Sequence, residues 1–408
     1  MPQRSCEFLI VGGGMVGLSI ANQILKRKLA KKIVIIDKEQ SLGLHTSGRN
    51  SGVLHAGLYY KPDSLKAKVC VKGSKLLKQW VLERNLPINN CGKVIVPQRE
   101  ELDSQLDLLE KRGRMNGAEV EFIDSQALKE IIPEAHTSTG RALWSPGTSV
   151  VNPKAVLLHL ESELRQKGVN IITGQKNWFV SSDENYIRLN DSSHIYYDIM
   201  INCAGLHADE IAHRFNVGKE YTLLPFKGIY WQLKKSSPIK PRVNLYPVPD
   251  LNVPFLGVHF TPGVDSFSSI TIGPTATPAF GRENYQGLSD FDIKMSIKNL
   301  LILSNQYLED KGGFRKYTHE QAFLIIPSLL VRAAKELIPS IKYNHIEPSK
   351  KVGIRPQLFN TKKQAIENDF LCLPSNNSIH LLNVISPAFT ASFALADLIL
   401  KKLDNLPS

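Results

Sequence analysis

The chain has 408 residues, 42% of them hydrophobic and 22% charged, with a formal net charge of +12. That length exceeds one ordinary core and indicates about two domains, and the composition is that of a folded globular protein, which excludes a disordered or fibrous one. The positive charge is scattered in short groups such as Lys31–Lys32, Lys234–Lys235 and Lys350–Lys351, with no long basic arm, so the reading is no nucleic acid as partner but a solvated or anion-attracting surface.

Phe8–Val11 is a short apolar run that predicts a buried strand. Gly12-Gly13-Gly14 follows, and Met15–Lys28 carries Val16, Ile20 and Ile24 at helical spacing. Ile33–Ile36 is a second strand ending at Asp37, which completes a βαβ unit of about thirty residues. The triple glycine inside the first apolar run marks a nucleotide-binding turn rather than a secretion signal. Helical patterns follow over 64–85, 100–116 and 152–167, and strand-like segments over 170–172, 187–189 and 199–203, the last running into Ala204-Gly205. From Leu223 to Gly281 prolines and glycines are dense, and GIYWQL, FLGVHF and SSITIG alternate as antiparallel strands do. Residues 291–342 read as helical with an interruption at Gly312-Gly313. Val352–Pro356 opens a last strand-rich section, followed by Ile379–Ile385 and a final helix over Ala388–Leu403. No run of about eighteen apolar residues predicts a membrane-crossing helix. The expected architecture is α/β: a discontinuous Rossmann-like nucleotide-binding domain (1–80, 145–220 and 345–408) interwoven with an α+β substrate domain built on an antiparallel sheet (81–144 and 221–344).

Gly12-x-Gly14-x-x-Gly17 lets the backbone approach a pyrophosphate and lets helix and strand pack closely. The helix N-terminus at Met15 and Val16 faces the phosphates. Asp37, followed by Lys38, can accept from a ribose hydroxyl. The next stretch, HTSGRNSGVLHAGLYYKP (His45–Pro62), offers Thr46, Ser47, Asn50 and Ser51, with Gly52 beside them, as contacts to a cofactor's phosphates and ring. IMINCAG (Ile199–Gly205) supplies a second buried strand whose small residues Ala204 and Gly205 suit close passage of a dinucleotide. Both features resemble the FAD-binding pattern of flavoprotein oxidoreductases. The cysteines (Cys6, Cys70, Cys91, Cys203, Cys372) include no C-x-x-C pair, which points to neither a zinc site nor a disulfide framework, and to a reducing, cytoplasmic setting.

GIRP at Gly353–Pro356 resembles the motif of the D-amino-acid oxidase and glycine oxidase superfamily whose arginine grips the substrate carboxylate. A guanidinium fork binds a carboxylate bidentately and stays charged when desolvated, so Arg355 is the expected clamp. NSGVLHAGLYYKPDSLKAKVCVKG (Asn50–Gly73), NCGKVIV (Asn90–Val96), PFKGIYW (Pro225–Trp231), LYPVPDLNVPFLGVHFTP (Leu245–Pro262), ITIGPTATPAF (Ile270–Phe280) and NDFL (Asn368–Leu371) resemble the L-2-hydroxyglutarate dehydrogenase/oxidase family. The resemblance implies noncovalent FAD and oxidation of a 2-hydroxy dicarboxylate by hydride transfer to flavin. It also implies quinone or oxygen as electron acceptor and a peripheral place on the inner face of a membrane. NVISPAFTAS (Asn383–Ser392) resembles the loop that brings a helix N-terminus, here Pro387 and Ala388, to the flavin, where the dipole stabilises the reduced anionic form.

Three positions depart from the family: Arg49 stands where histidine is more usual, Ile385 replaces a proline and Phe389 a small residue. These bear on the rate and the electron acceptor more than on the cofactor. A histidine suits the base role because its ordinary pKa lies near working pH, and His55 and His259 are the candidates. For the distal carboxylate the candidates are Tyr60, Lys66 and Lys227. The alternatives are an FAD-dependent amino-acid or glycerol-3-phosphate oxidoreductase, and a non-catalytic flavin protein that binds RNA, which only the net charge supports.

Overall fold

The computed structural model describes residues 4–176, 178–249, 256–265, 269–310 and 313–403. A parallel sheet runs 170–172, 33–36, 4–11, 194–202, 378–382 in spatial order. Its central segments Phe8–Val11, Ile33–Ile36 and Ile199–Ile201 are continuous apolar runs because both faces are covered there. Ile33 and Ile35 enter one core with the helices Met15–Lys26, Leu65–Glu83, Pro153–Gln166 and Ala388–Leu403. Val34 and Ile36 enter the other, with Ile211 and Phe215. Local chemistry sets the helix starts: Ser64 accepts from Ala67 N at 3.2 Å, and Asn152 caps the helix whose first residue is Pro153.

A second sheet of nine strands is antiparallel except where 93–96 runs parallel to 244–247. Toward one edge Phe226–Leu233 pairs with Ile346–Arg355 on one side and with 271–273 and 277–278 on the other. The strand ending at Arg355, which the sequence reading placed at the start of the last nucleotide-binding segment, therefore belongs to this sheet. Two further differences have local causes. The strand expected from Ile199 begins at His194, because its polar, alternating first half pairs antiparallel with 186–188 while its buried last residues pair with 378–380. The long helical stretch is three helices, Ile293–Glu309, Phe314–Ala322 and Pro327–Lys335. Gly313 adopts φ +76 before the second, and Pro327 opens the third. Gly312 and residues 250–255 of the Leu245–Pro262 block, Pro254 included, lie outside the described residues.

Candidate active site

Two adjoining cavities share Gly14, Thr46, Ser47, Cys203 and Gly205. The outer one is lined by Gly12, Asp37, Lys38 and Ala204. The inner one is lined by Met15, Val16, Asn50, Ser51, His55, His259, Arg355, Pro387 and Ala388.

The outer cavity is a cradle in which side chains would not fit. Gly12 holds φ +108, and a Cβ there would stand 2.5 Å from Cys203 O; one on Gly14 would stand 2.8 Å from Ser47 Oγ. Gly17 and Gly52 line neither cavity and act by packing: their Cβ atoms would meet Gly12 O at 2.1 Å and Val151 O at 2.2 Å. Ser47 Oγ accepts from Met15 N at 2.9 Å, which ties the loop to the first helical turn. Asp37 accepts from Gly13 N and Glu39 N, both at 2.9 Å. Burial raises its pKa against the pull of those donors, and each carboxylate oxygen keeps a lone pair for a ribose hydroxyl. Lys38 is ion-paired to Glu39 and Glu283. Its ammonium thereby serves the cluster of Glu39, His45 and Glu283. Asn50 organises its own loop, donating to Ser47 O at 2.6 Å and accepting from Gly52 N at 2.9 Å. Thr46 Oγ1 donates to Ile354 O at 3.3 Å and so fastens this loop to the strand that carries Arg355. The glycine turn, the carboxylate at the second strand's end and the small residues after the 194–202 strand fit a dinucleotide such as FAD.

In the inner cavity three titratable side chains converge from separate segments. Arg355 ends its strand opposite Phe226. His259 donates from Nδ1 to Gly257 O at 2.8 Å, which leaves the Nε2 lone pair available. Burial, with Lys93 and Arg355 nearby, pushes its pKa down to about 3, so its ring is neutral at working pH. His55 is held by its backbone N–H to Thr390 Oγ1 at 3.2 Å, and its Nε2 lies 3.4 Å from Ser386 Oγ. Its Nδ1 is buried without a hydrogen-bond partner among the described residues. Burial first, then the Lys93 charge and the neighbouring His259 ring, hold its pKa well below the ordinary value. Two neutral imidazoles beside a guanidinium can bind a carboxylate and accept a proton from a neighbouring hydroxyl.

The structure does not bring the other three substrate candidates to this cavity. Tyr60 lies behind the lining, hydrogen-bonded to Ser386. Lys66 is buried at the start of its helix with Nζ 5.6 Å from the Phe370 ring centre, and Lys227 donates to Asn284 Oδ1 at 2.8 Å. Of the departing positions, Arg49, Ile385 and Phe389 all line the cavity, and Arg49 stacks 4.1 Å over the Tyr285 ring. Sequence reasoning missed Tyr230 and Tyr246, which also line it, and Lys93 close behind. A lysine directly before the apolar run Val94–Val96 was the available signal for the last.

Residues 7–401 match the family model described as FAD dependent oxidoreductase. The chain is 35% identical to a mitochondrial L-2-hydroxyglutarate dehydrogenase of Caenorhabditis briggsae, over 98% of this chain and 94% of the relative. It is 32% identical to the L-2-hydroxyglutarate dehydrogenase of Indibacter alkaliphilus, over 95% and 96%. Among solved structures, the fold is similar to L-alpha-glycerophosphate oxidase from Mycoplasma pneumoniae with FAD bound: TM-score 0.75, 21% identity, 98% and 95% covered. It is similar also to glycine oxidase from Geobacillus kaustophilus: TM-score 0.71, 16% identity, 100% and 96% covered. The chain belongs to the FAD-dependent oxidoreductase family and, within it, to the L-2-hydroxyglutarate dehydrogenases.

Proposed function

We propose that this FAD-dependent oxidoreductase oxidises L-2-hydroxyglutarate to 2-oxoglutarate. The observation that carries the reading is the convergence of Arg355, His55 and His259 on the inner cavity, next to the glycine turn. Arg355 takes the C1 carboxylate through its guanidinium fork and fixes the C2 hydroxyl beside the histidine pair. One imidazole accepts the hydroxyl proton as the carbonyl forms; His259 is already in the tautomer for this, with Nδ1–H spent on Gly257 O. FAD held in these cavities would supply the two-electron acceptor for the C2 hydride. Gly12, Gly14, Asp37, Ser47, Ala204 and Gly205 would hold it, with Pro387 and Ala388 at its ring end. Substrate loses one hydride and one proton, which balances the conversion. A steady-state panel with an artificial acceptor tests the choice of substrate. L-2-hydroxyglutarate should exceed glycine, D-amino acids and glycerol 3-phosphate in kcat/KM by at least about a hundredfold, and preference for any of those would transfer the protein to that activity.

For the reoxidation half we propose a quinone reached from a lipid surface, in preference to oxygen. Ile293, Ile297, Leu300, Leu301 and Leu308 recur at helical spacing on Ile293–Glu309 and are exposed. Leu288 and Phe291 extend this apolar face, and exposed Lys294 and Lys298 stand beside it on a chain of net charge +12. Among the described residues no helix is long and apolar enough to cross a membrane. Co-sedimentation with vesicles containing anionic lipid should be lost in the double variant Ile297→Asp, Leu301→Asp. Equal sedimentation of both proteins would remove the lipid contact.

A further inference from the structure

Lys93 lies inside the second sheet with none of its surface exposed. Its ammonium has no hydrogen-bond partner among the described residues. What surrounds it is aromatic: Nζ is 4.9 Å from the ring centre of Tyr59 and 4.6 Å from that of Tyr246. Tyr246 in turn stacks on His259, with centres 3.9 Å apart and planes 16° apart. The strand pairing explains the arrangement. Residues 244–247 lie between 93–96 and 259–261, so Lys93, Tyr246 and His259 form a row on one face of the sheet. At the cavity end of that row stand His259, His55 and Arg355. Burial pulls the Lys93 pKa down to about 8, opposed only by the thiols of Cys70 and Cys91. Burial itself keeps those thiols neutral by raising their pKa to about 12 and about 11, so among the described residues no anion stands beside the ammonium.

An ammonium shut away from water without an anion is unfavourable, and such a group persists where something compensates it. The ring faces supply part of that compensation. Arg355 accounts for one carboxylate of a bound acid and leaves the Lys93 charge over. A charge inside the protein acts across the thickness of a ring because little water screens it. Lys93 therefore does not need to line the cavity to favour an anion within it.

We propose that Lys93 is the specificity-determining cation for a second carboxylate, so that the cavity is matched to dianionic 2-hydroxy acids over monoanionic ones of the same length. This rests on the reading of Arg355 as the clamp for the first carboxylate. Lys93 acts through charge, as a specificity residue; the reacting atoms are handled by the groups at the cavity wall. Two alternative roles are bland and give different results: a packing residue, or a cation needed only for folding.

The test uses Lys93→Met, which keeps the stem and removes the charge, with Lys93→Arg as the charge-retaining control. For FAD-loaded Lys93→Met, kcat/KM for L-2-hydroxyglutarate should fall at least about tenfold, mainly through KM, while that for L-2-hydroxypentanoate stays within about twofold of wild type. Lys93→Arg should keep part of the preference for the dianion. An equal fall for both substrates, or no fall for either, overturns the proposal. A second measurement does not depend on turnover: perturbation of the flavin spectrum by glutarate and by pentanoate. Wild type should bind glutarate more tightly than pentanoate, and Lys93→Met should lose the difference. If wild type fails to oxidise L-2-hydroxyglutarate yet this difference is found and lost as stated, the functional reading fails and the role of Lys93 stands. If wild type binds the two acids equally, the role of Lys93 fails whatever the substrate.

Discussion

Replacing Arg355 by methionine should remove the carboxylate clamp while leaving the cofactor in place. The side chain leaves the end of the Ile346–Arg355 strand, whose pairing with Phe226 is a backbone matter that methionine preserves. A bidentate guanidinium–carboxylate contact comprises two charge-assisted hydrogen bonds, each worth about 1.5–3 kcal/mol. The cavity is open to water at its mouth, so the lower part of that range applies, about 3–4 kcal/mol in all. That corresponds to a fall in kcat/KM for L-2-hydroxyglutarate of roughly 10²–10³, carried chiefly by KM. A second consequence concerns His259, whose pKa the Arg355 charge helps to depress. Removing a cation stabilises the imidazolium, so the acid limb of the kcat/KM profile should move to higher pH. The assay is steady-state kinetics across pH on protein whose FAD content is measured from its visible absorbance. Unchanged KM in a variant with full FAD would refute the reasoning and place the clamp elsewhere.

Substituting His55 and His259 separately by alanine should distinguish base from positioning residue: the base loses about 10²–10⁴ in kcat, partly relieved at high pH, and two variants near wild type would sink the histidine mechanism. The buried histidines should also govern stability in acid. Folded pKa values of about 3 for His259 and about 4 for His380, with His55 held well below normal, lie under the ordinary 6.5. Below pH 6.5 the unfolded chain then binds protons that the folded one refuses, so stability is complete above that pH and is lost as pH falls toward 4; a Tm unchanged across that window would contradict these assignments. Gly12→Ala, with φ +108 and its Cβ 2.5 Å from Cys203 O, should yield protein with little bound FAD, and wild-type FAD content would show that the turn tolerates a side chain.

What was legible in the sequence was local. The glycine turn, the strands on either side and Asp37 lie within one short stretch, so their spacing carries their geometry. Continuous apolar runs such as Ile33–Ile36 could only be buried on both faces, and they are. The far wall of the inner cavity was less accessible, because it depends on which distant strands pair. Lys93 meets Tyr246 and His259 only because 93–96, 244–247 and 259–261 lie side by side, and nothing in any one of those segments announces the other two. Tyr60, Lys66 and Lys227 were attractive for the opposite reason, being close in sequence to recognisable blocks. In the fold, Lys66 turns toward Phe370 and Lys227 toward Asn284. The same limit applies to the 194–202 strand, whose first half reads as an alternating edge and whose second half reads as core.

The central claim is that this site removes a hydride and a proton from C2 of L-2-hydroxyglutarate. Anaerobic mixing of the FAD-loaded protein with that compound tests it most directly, because a single turnover needs no external acceptor. The account predicts rapid loss of the oxidised flavin's visible absorbance with the L-isomer, and little change with the D-isomer, malate or an amino acid. A flavin that stays oxidised with L-2-hydroxyglutarate, or bleaches equally with both isomers, would contradict it.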